Sequence, residues 1–529
     1  HHRGGGRYVN SIDRDRVRAM QLMNRALPLA RADKPQAETA AFMQAFAGIT
    51  MGYRGYHEAW RLQVLTDLSE LPDYEDGYRH YRGGSPRGAP VDPDGKPVFY
   101  GVPPSFEQAA NDGERWRWLL EETVRLAPGR EAQTRLAYAR FLHQQFGVQT
   151  LASYAGFRPL LESDDKAREG RYLVHTLGRD ETIARLANGV RRFVLPGDAN
   201  YIRILRSIAD GRDGSHPQQA LETLAGIFEN RRQYEQAAAL WREAVKRFGP
   251  GHDGRRAQRL EQIVGNWGRF DPIMTHPAGE NAQVDYRFRN AKLVRFTAHA
   301  IDIPRLLSDV KDHLKSNPGR IDWREANVDN IGYRLVQQNQ KRYITKEVAA
   351  WSRDLDPAED HWDRRITVET PLREAGAYLL TAELDDGNTS RIVIWLNDTV
   401  LVRKQLDSGI LFFVADAVTG RPLSKVNVEF FGYRQVRVKG KLKLGRRYNI
   451  HTSNFALFSD DNGQVVPKQN DLAQHHRWLI TARTDEGRLA YLGFSNVWYG
   501  RRHDADYYAV KALLITDRPV YRPDQSVQF

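Results

Sequence analysis

The chain ends in Leu513-Leu514-Ile515-Thr516-Asp517-Arg518-Pro519-Val520-Tyr521-Arg522-Pro523-Asp524-Gln525-Ser526-Val527-Gln528-Phe529, and this stretch decides how the rest of the sequence is interpreted. Its first three residues are apolar and predict a short strand. Pro519 and Pro523 cannot donate a backbone N–H, so they interrupt regular pairing, and Pro523-Asp524 is also a turn signal. Val527 and Phe529 alternate with polar residues, which predicts that a second strand begins there. Together these features indicate the entrance to a β-sandwich domain.

The same stretch resembles the opening of the second macroglobulin domain (MG2) in the alpha-2-macroglobulin family. The family pattern is Thr-Asp-Lys/Arg-Pro-x-Tyr-Arg-Pro-Gly-x-x-Val, and the matching residues are Thr516, Asp517, Arg518, Pro519, Tyr521, Arg522, Pro523 and Val527. Asp524 stands where the family has Gly, which permits the φ > 0 corner of a type II turn, whereas Asp favours type I. From the residues alone, a different β-domain with a proline-rich entrance remains the alternative.

Length and composition describe an ordinary globular protein of several domains. The 529 residues suggest about three to four domains. Hydrophobic residues make up 41% and charged residues 27% of the chain, which is not a disordered composition. No run reaches the roughly 18 apolar residues that a membrane helix needs. The chain does not begin with Met and stops within a predicted strand, so we expect a fragment of a longer protein.

The chain has no cysteine, which excludes disulfides, thiolate catalysis and cysteine-based zinc sites within it. The alpha-2-macroglobulin resemblance implies a reactive thioester between a Cys and a Gln, and such a bond would have to lie beyond Phe529. The net charge is +12, but arginine is spread along the whole length without a basic block flanked by stacking aromatics. We therefore expect a solvated arginine-rich surface and no nucleic-acid partner.

Residues 1–268 are predicted to be a helical region that resembles tetratricopeptide repeats. The clearest repeat is 217–250, where two apolar helix faces are separated by a short polar turn and small Ala225, Ala237 and Ala244 allow close approach. Neighbouring helices are predicted to stack with it as a short solenoid. Ser105 is predicted to be a helix N-cap, and the Gly/Pro-rich segment 81–104 to pack on the helices. The solenoid provides either a groove for a protein partner or a spacer that carries the β-domains.

After residue 268 the pattern changes to period-two alternation, which predicts β-sandwiches. We assign 269–406 to a first macroglobulin-like sandwich with a helical insertion at 305–314, 407–512 to a second one, and 513–529 to the truncated start of MG2. A hairpin is predicted from Gly376 through the turn 385–388 to Leu396. It resembles the late hairpin of the first macroglobulin domain. The turn 419–423 with the strand after it resembles the domain that precedes MG2 in bacterial relatives.

Motifs that carry chemistry are missing from the sequence. There is no His-Glu-x-x-His, no phosphate loop and no Gly-x-Ser-x-Gly elbow. His475-His476 has poor geometry for a shared metal and is expected at the surface. Asp385-Asp386, Asp460-Asp461 and the Asn388 and Asn397 glycosylation-like triplets are interpreted as turn residues. We therefore predict no catalytic, cofactor-binding or metal-binding residues and no enzymatic activity.

The family resemblance implies the function. In that family a protease cuts an exposed bait segment and is then enclosed, so this chain is interpreted as the framework portion of a broad-spectrum endopeptidase inhibitor, a bait-and-trap protein. Its partners would be proteases, bound through regions beyond this fragment. Its location would be periplasmic, in the cell envelope or extracellular, with membrane association only through an anchor outside the fragment. The alternative is a non-inhibitory envelope or surface scaffold whose helical repeats bind protein partners.

Overall fold

The computed structural model describes residues 9–33, 35–52, 59–76, 88–148, 173–211, 214–272, 275–329, 331–336, 338, 340–406, 409–438 and 448–499. Helices come first along the chain and β-sheets with mostly antiparallel pairing follow, which confirms the predicted fold class. The eight motif residues between Thr516 and Val527, and the MG2 start assigned to 513–529, lie outside the described residues.

The helical region is built on a single apolar core that runs from its first helix to its last. Its helices are α1 Ile12–Asp33, α2 Gln36–Met51, α3 Asp112–Leu126, α4 Glu131–Phe146, α5 Tyr201–Ala209, α6 Ser215–Asn230, α7 Tyr234–Phe248 and α8 Arg255–Val264. Two antiparallel strand pairs accompany them: β1 Val9–Asn10 with β2 Glu75–Asp76, and β3 Glu181–Leu186 with β4 Gly189–Val194. The second pair was not predicted. It is joined to α4 because Thr182 Oγ1 donates a hydrogen bond to the Phe146 carbonyl at 2.5 Å.

Helices α6 and α7 form the helix–turn–helix unit that the sequence predicted for 217–250. Ala225, Ala237 and Ala244 are fully buried, as close helix approach requires. Gly249 ends α7 at φ +75°, a conformation that glycine adopts without strain.

Two predictions about the first helices had different outcomes. Ser105 is not the N-cap of α3, because that helix begins at Asp112 and Asn111 Oδ1 accepts the Glu114 N–H at 2.9 Å. The Asn-x-x-Glu spacing was a visible capping signal, and Ser105 only accepts a 3.3 Å hydrogen bond from Gln108 N–H in the preceding turn. The described part of 81–104 packs on the helices as expected: the Phe99 ring lies 4.8 Å from that of Phe146.

The first sandwich consists of two sheets around one apolar core. Its strands are β5 Trp267–Phe270, β6 Thr275–Pro277, β7 Gln283–Arg289, β8 Leu293–Ile301, β9 Ile344–Asp354, β10 Arg364–Glu369, β11 Gly376–Leu384 and β12 Thr389–Asn397. One sheet has the order β10-β7-β5 and the other β6-β12-β11-β8-β9. The predicted hairpin is β11–β12, with Gly376 opposite Leu396. Asn388 fixes its turn to the other sheet, accepting from Gly268 N–H and donating to Gly268 O, both at 2.8 Å.

The second sandwich also has two sheets around its own core. Its strands are β13 Thr399–Gln405, β14 Ile410–Asp416, β15 Asn427–Arg437, β16 Tyr448–Phe458, β17 Gln464–Val465, β18 Arg477–Arg483 and β19 Leu489–Asn496. The sheet orders are β13-β14-β17 and β16-β15-β18-β19. Strand β13 was assigned to the first sandwich, yet it pairs with β14. The division at 406/407 stays a prediction, and this pairing favours a boundary before Thr399.

The helical insertion lies between β8 and β9 and is longer than the 305–314 predicted. It contains α9 Ile303–Lys315, α10 Trp323–Ala326 and α11 Ile331–Val336. Asp302 caps α9 by accepting the Arg305 N–H at 3.0 Å, and Pro304 occupies the first turn, where its missing N–H costs nothing. The insertion is therefore a small helical layer attached to the first sandwich.

Candidate functional site

The helical insertion forms one apolar core with both sandwiches, and we call this junction the wedge. Its buried residues come from three sources. The insertion supplies Ile303, Leu306, Leu307, Val310, Leu314, Ile321, Ala326, Val328, Ile331, Leu335 and Tyr343. The first sandwich supplies Ile301, Ala377 and Leu379, and the second supplies Phe431, Tyr433, Ile450, Leu479 and Phe494. Because side chains from both sandwiches are packed into the same core, either sandwich can shift only by exposing apolar surface to water.

Strand alternation explains how one strand serves two cores. Successive side chains of a strand point to opposite faces. Phe430 therefore faces the core of the second sandwich, whereas Phe431 faces the wedge, and both are fully buried. Leu379 and Leu380 divide in the same way between the wedge and the first sandwich. A strand with both faces apolar is expected when both faces are covered, so the pairs Leu379-Leu380 and Phe430-Phe431 were a signal for the wedge that was present in the sequence and was missed.

Polar contacts at the edge of the wedge fix its register. Lys311 Nζ lies 2.5 Å from Glu429 Oε2 of β15. Asn317, at φ +51°, accepts the Ile450 N–H at 2.6 Å, and the Gly319 carbonyl accepts the Tyr448 N–H at 3.0 Å. These bonds hold the end of α9 against β16.

A buried arginine braces the insertion from within. Arg334 is 0% exposed, and its Nη1 donates to the Asn327 carbonyl at 2.8 Å while its Nε donates to Gln340 Oε1 at 3.0 Å. The guanidinium also lies over the Tyr343 ring, 5.6 Å from its centroid. Burial lowers the pKa of Arg334, although an arginine keeps its charge at any ordinary pH. Arg334 of α11 thus ties together the segments that follow α10 and precede β9.

A second junction connects the repeat-like helices to the first sandwich, and we call it the joint. Trp362, only 4% exposed, stands edge-on to two rings of the helical region, with its ring centroid 5.3 Å from that of His175 and 5.4 Å from that of Tyr234. Aromatic rings in this T-shaped arrangement attract each other beyond their area burial. The indole therefore fills the gap between α7 and the sheet that contains β10.

Two consecutive residues of the first sandwich complete the joint. Arg289 donates from Nε to Asp363 Oδ1 and from Nη1 to the Gln262 carbonyl, both at 2.6 Å, and its guanidinium lies 5.5 Å from the Tyr234 ring centroid. Asn290, at φ +61°, donates from its amide to the Ile263 and Gly265 carbonyls at 2.9 Å. These carbonyls are at the end of α8, so the joint also satisfies helix-terminal acceptors.

His361 completes the polar shell of the joint. Its Nδ1 lies 2.9 Å from Asn290 Oδ1. Since the Asn290 amide already donates twice, its oxygen is the acceptor, and Nδ1 of the histidine carries the proton. Burial, then the positive charges of Arg242 and Arg289, lower the pKa of His361 below its ordinary value. The neutral imidazole is therefore the form that the joint favours. The lone Trp362 and the Arg289-Asn290 pair gave no periodic signal, so sequence reasoning missed them.

The residues considered for chemistry lie apart from one another. His475 is exposed and His476 is half-buried, with its ring 5.5 Å from that of Trp478. Asp460 Oδ1 accepts the N–H groups of Asn462 and Gln464 at 2.9 and 2.8 Å, as a turn residue does. Within the part of the chain that the structure describes, no group of three or more His, Cys, Asp or Glu side chains is placed to hold a metal ion. Among those same residues, no helix is both long enough and apolar enough to cross a membrane.

The helical region carries a cavity of about 380 Å³ beside the repeat-like pair. Its wall is apolar, with Ile202, Leu224, Phe228 and Leu240, and three arginines stand on it: Arg179, Arg203 and Arg206. Two of these are already paired, Arg203 with Asp180 at 2.5 Å and Arg206 with Asp210 at 3.1 Å. The cavity is therefore an apolar depression, and most of the positive charge at its rim is neutralised by ion pairs.

Comparison with known proteins gives structural likenesses only. No family model and no curated protein matches the chain. Solved structures similar to it include native alpha-2-macroglobulin from Escherichia coli spanning domains NIE-MG1, at 16% identity and a TM-score of 0.27, covering 44% of this chain and 97% of that one. A Salmonella alpha-2-macroglobulin mutant matches at 12% identity and a TM-score of 0.19, covering 50% of this chain and 18% of that one. A red sea bream transglutaminase matches at 10% identity and a TM-score of 0.20, covering 60% of this chain and 38% of that one.

Proposed function

We propose that this chain is the framework portion of a broad-spectrum endopeptidase inhibitor of the alpha-2-macroglobulin type, and that it contains no catalytic site. The proposal is supported by the residues from Thr516 to Val527 that resemble the family pattern. It is supported further by the geometry of the wedge, in which one apolar core includes residues of both sandwiches. This core is the observation that carries the framework role, because a trap that closes on a protease needs parts that move as a unit.

In this proposal, bait cleavage and any thioester belong to regions beyond Phe529, and proteases contact those regions. The helical region and the two sandwiches would hold the remaining domains at a fixed angle. The wedge fixes sandwich to sandwich and the joint fixes helices to sandwich. The location we propose is the periplasm, the cell envelope or the extracellular space, where such an inhibitor would meet foreign endopeptidases.

The test uses the full-length protein incubated with an endopeptidase. Trapping by enclosure predicts that the protease keeps its activity on a small peptide substrate and loses its activity on a large protein substrate. Leu379→Arg places a charge in the wedge, where an unpaired buried charge is costly, and should abolish this difference. Val418→Arg also replaces an apolar side chain with arginine, but at a residue that is 58% exposed, and it should leave trapping intact. Equal activity on both substrates with the unmodified protein would refute the inhibitor.

The second candidate function is a non-inhibitory envelope or surface scaffold whose helical repeats bind a protein partner. The observation in its favour is the apolar cavity beside α6 and α7, whose wall includes Leu224 and Phe228. In the protease assay, this function predicts no protection of the large substrate. Phe228→Glu, at a half-buried residue of the cavity wall, would then abolish partner binding, while Leu379→Arg would not act on the cavity directly.

A further inference from the structure

A cavity of about 680 Å³ opens where the two sandwiches and the insertion meet, at the edge of the wedge core and sharing Val328 and Ile331 with it. The first sandwich lines it with Trp395 of β12, the second with Leu401 of β13 and Tyr491 of β19, and the insertion with Val328 and Asp329. Its volume is in the range of about 300–1,000 Å³ that is usual for ligand pockets. None of the functions discussed above uses this cavity.

Two strand edges border the cavity. Among the described strands, β13 pairs only with β14, and β19 pairs only with β18. The outer edges of both strands therefore present backbone N–H and C=O groups to whatever fills the space. Arg403 Nη1 donates to Ser495 Oγ at 3.1 Å and so connects β13 to β19 beyond the cavity. An exposed strand edge is the surface to which an extended peptide adds as a further strand.

The charge in the cavity has one sign. Asp329 is the only charged residue in its described lining, it is exposed, and it forms no ion pair with any described residue. The rings of Trp395 and Tyr491 line the same cavity, with centroids 5.7 Å apart and planes at 59°. Aromatic faces and a carboxylate both attract a cation, and a cation shared between them is bound more strongly than by either alone.

A bulge in β19 makes room for the carboxylate. The pairing of β18 with β19 shifts register between Trp478 and Ile480, and Gly493 lies in the part of β19 where the shift occurs. A Cβ atom on Gly493 would come within 2.1 Å of Asp329 Oδ1. Only glycine therefore lets the carboxylate lie against the strand at this position.

We propose that this cavity binds an extended segment of a partner protein, which pairs with the edge of β19 that no described strand occupies and places a lysine or arginine side chain against Asp329 and the rings of Trp395 and Tyr491. The apolar remainder of the lining would receive the neighbouring side chains of the segment. This site goes beyond the framework role, and it can be present or missing whether or not the complete protein traps proteases.

The test measures binding of a fluorescein-labelled peptide, Thr-Val-Lys-Val-Thr, to the whole chain by fluorescence anisotropy. The peptide with Arg in place of Lys should bind comparably, and the peptide with Glu there should bind at least about tenfold more weakly, since its charge is repelled by Asp329. Asp329→Asn, which keeps the shape of the side chain, should weaken binding of the Lys peptide about tenfold. The matched control is Asp461→Asn, at an exposed turn outside the cavity, which should change nothing.

Gly493→Ala provides an independent check, because it displaces the carboxylate without removing it. It should weaken binding of the Lys peptide as Asp329→Asn does, and it should leave binding of the Glu peptide unchanged or make it tighter. The proposal is overturned if the Lys peptide does not bind, if the Glu peptide binds equally well, or if Asp329→Asn has no effect. It is also overturned if n-butylammonium at the same concentration displaces the peptide completely, since the site would then be one for small amines without strand pairing.

Discussion

The joint and the wedge both connect neighbouring units of this chain, but they do so with different chemistry. The joint consists of one buried indole, Trp362, surrounded by directional bonds from Arg289 and Asn290. The wedge consists of aliphatic and aromatic side chains from three units, with few polar contacts at its edge. Hydrogen bonds are directional and apolar burial is not. The joint should therefore determine the angle between helices and sandwich, whereas the wedge should supply most of the free energy that holds the two sandwiches together.

The largest effect is expected from Phe431→Ala. Phe431 is fully buried in the wedge, and removal of its ring should lower the free energy of unfolding by about 3–5 kcal/mol. Phe430→Ala, one residue earlier on the same strand, removes an equally buried ring from the core of the second sandwich and should cost a similar amount. The two variants differ in where the damage appears. Urea denaturation measures the loss in the free energy of unfolding for each variant. Hydrogen exchange of the backbone amides in 303–315 should become faster in Phe431→Ala only.

The comparison would fail if both variants left exchange in 303–315 unchanged, because the insertion would then be stable without its contact to β15. Equal increases in both would mean that the wedge and the second sandwich unfold as one unit. Either result would require another basis for the proposed framework role.

Trp362→Ala should have the next largest effect, about 3 kcal/mol, because it leaves a cavity between two rings at the joint. Thermal unfolding should then separate into two transitions, one for the helical region and one for the sandwiches. Trp323→Ala is the matched control: this residue is 52% exposed in the insertion and its replacement should stay within about 0.5 kcal/mol. A single transition in Trp362→Ala would show that the joint does not depend on the indole.

Neither junction was predicted from the sequence, although the sequence carried a signal for one of them, and the reason is physical. Periodicity correctly indicated the repeat-like pair α6–α7, since each helix buries one face along its length, and the turn residues 385–388 between two apolar runs indicated the hairpin β11–β12. The adjacent phenylalanines at 430 and 431 also carried a readable signal for the wedge, because both faces of their strand are apolar. Trp362 had no such pattern. Its importance depends on the meeting of segments that are far apart in the chain, and local periodicity contains no information about that.

The same limit applies to the candidate sites. The motif from Thr516 to Val527 was proposed from a single continuous stretch, and it stays a prediction because it lies outside the described residues. The cavity that contains Asp329, Trp395 and Tyr491 could not be recognised, because its residues come from three separate parts of the chain. Turn residues such as Asn388 were identified by type, but their bonds to Gly268 depend on sheet packing.

Acidification should weaken the joint more than the wedge. The pKa of His361 in the folded protein lies below its ordinary value of about 6.5, so the unfolded chain takes up this proton first. The free energy of unfolding should therefore fall as the pH drops below about 6.5, and the loss should stop once the pH is below the folded pKa. The slope from one histidine cannot exceed about 1.4 kcal/mol per pH unit.

His361→Asn tests this prediction, because asparagine tolerates the φ of +61° at this position and has no proton to gain. Urea denaturation of both proteins at pH 7.5 and pH 5 should show a smaller pH dependence in the variant. Comparing the two proteins is necessary, since burial also lowers the pKa of His143, to about 4, and that histidine adds its own pH dependence to both. If the free energy of unfolding changes between pH 7.5 and pH 5 by the same amount in both proteins, His361 is excluded as a source of the pH dependence.

The smallest effect is expected from Lys311→Met, which removes a polar contact from the apolar junction. The Lys311 side chain is 13% exposed and its partner Glu429 is 31% exposed, so water can solvate the carboxylate that remains. Ion pairs of this kind contribute up to about 1 kcal/mol, and methionine keeps the apolar part of the lysine stem in place. Arg289→Met at the joint should cost more, because Asp363 is only 11% exposed and less accessible to water. Urea denaturation of the two variants side by side measures the difference, and an equal loss would mean that directional bonds matter no more at the joint than at the wedge.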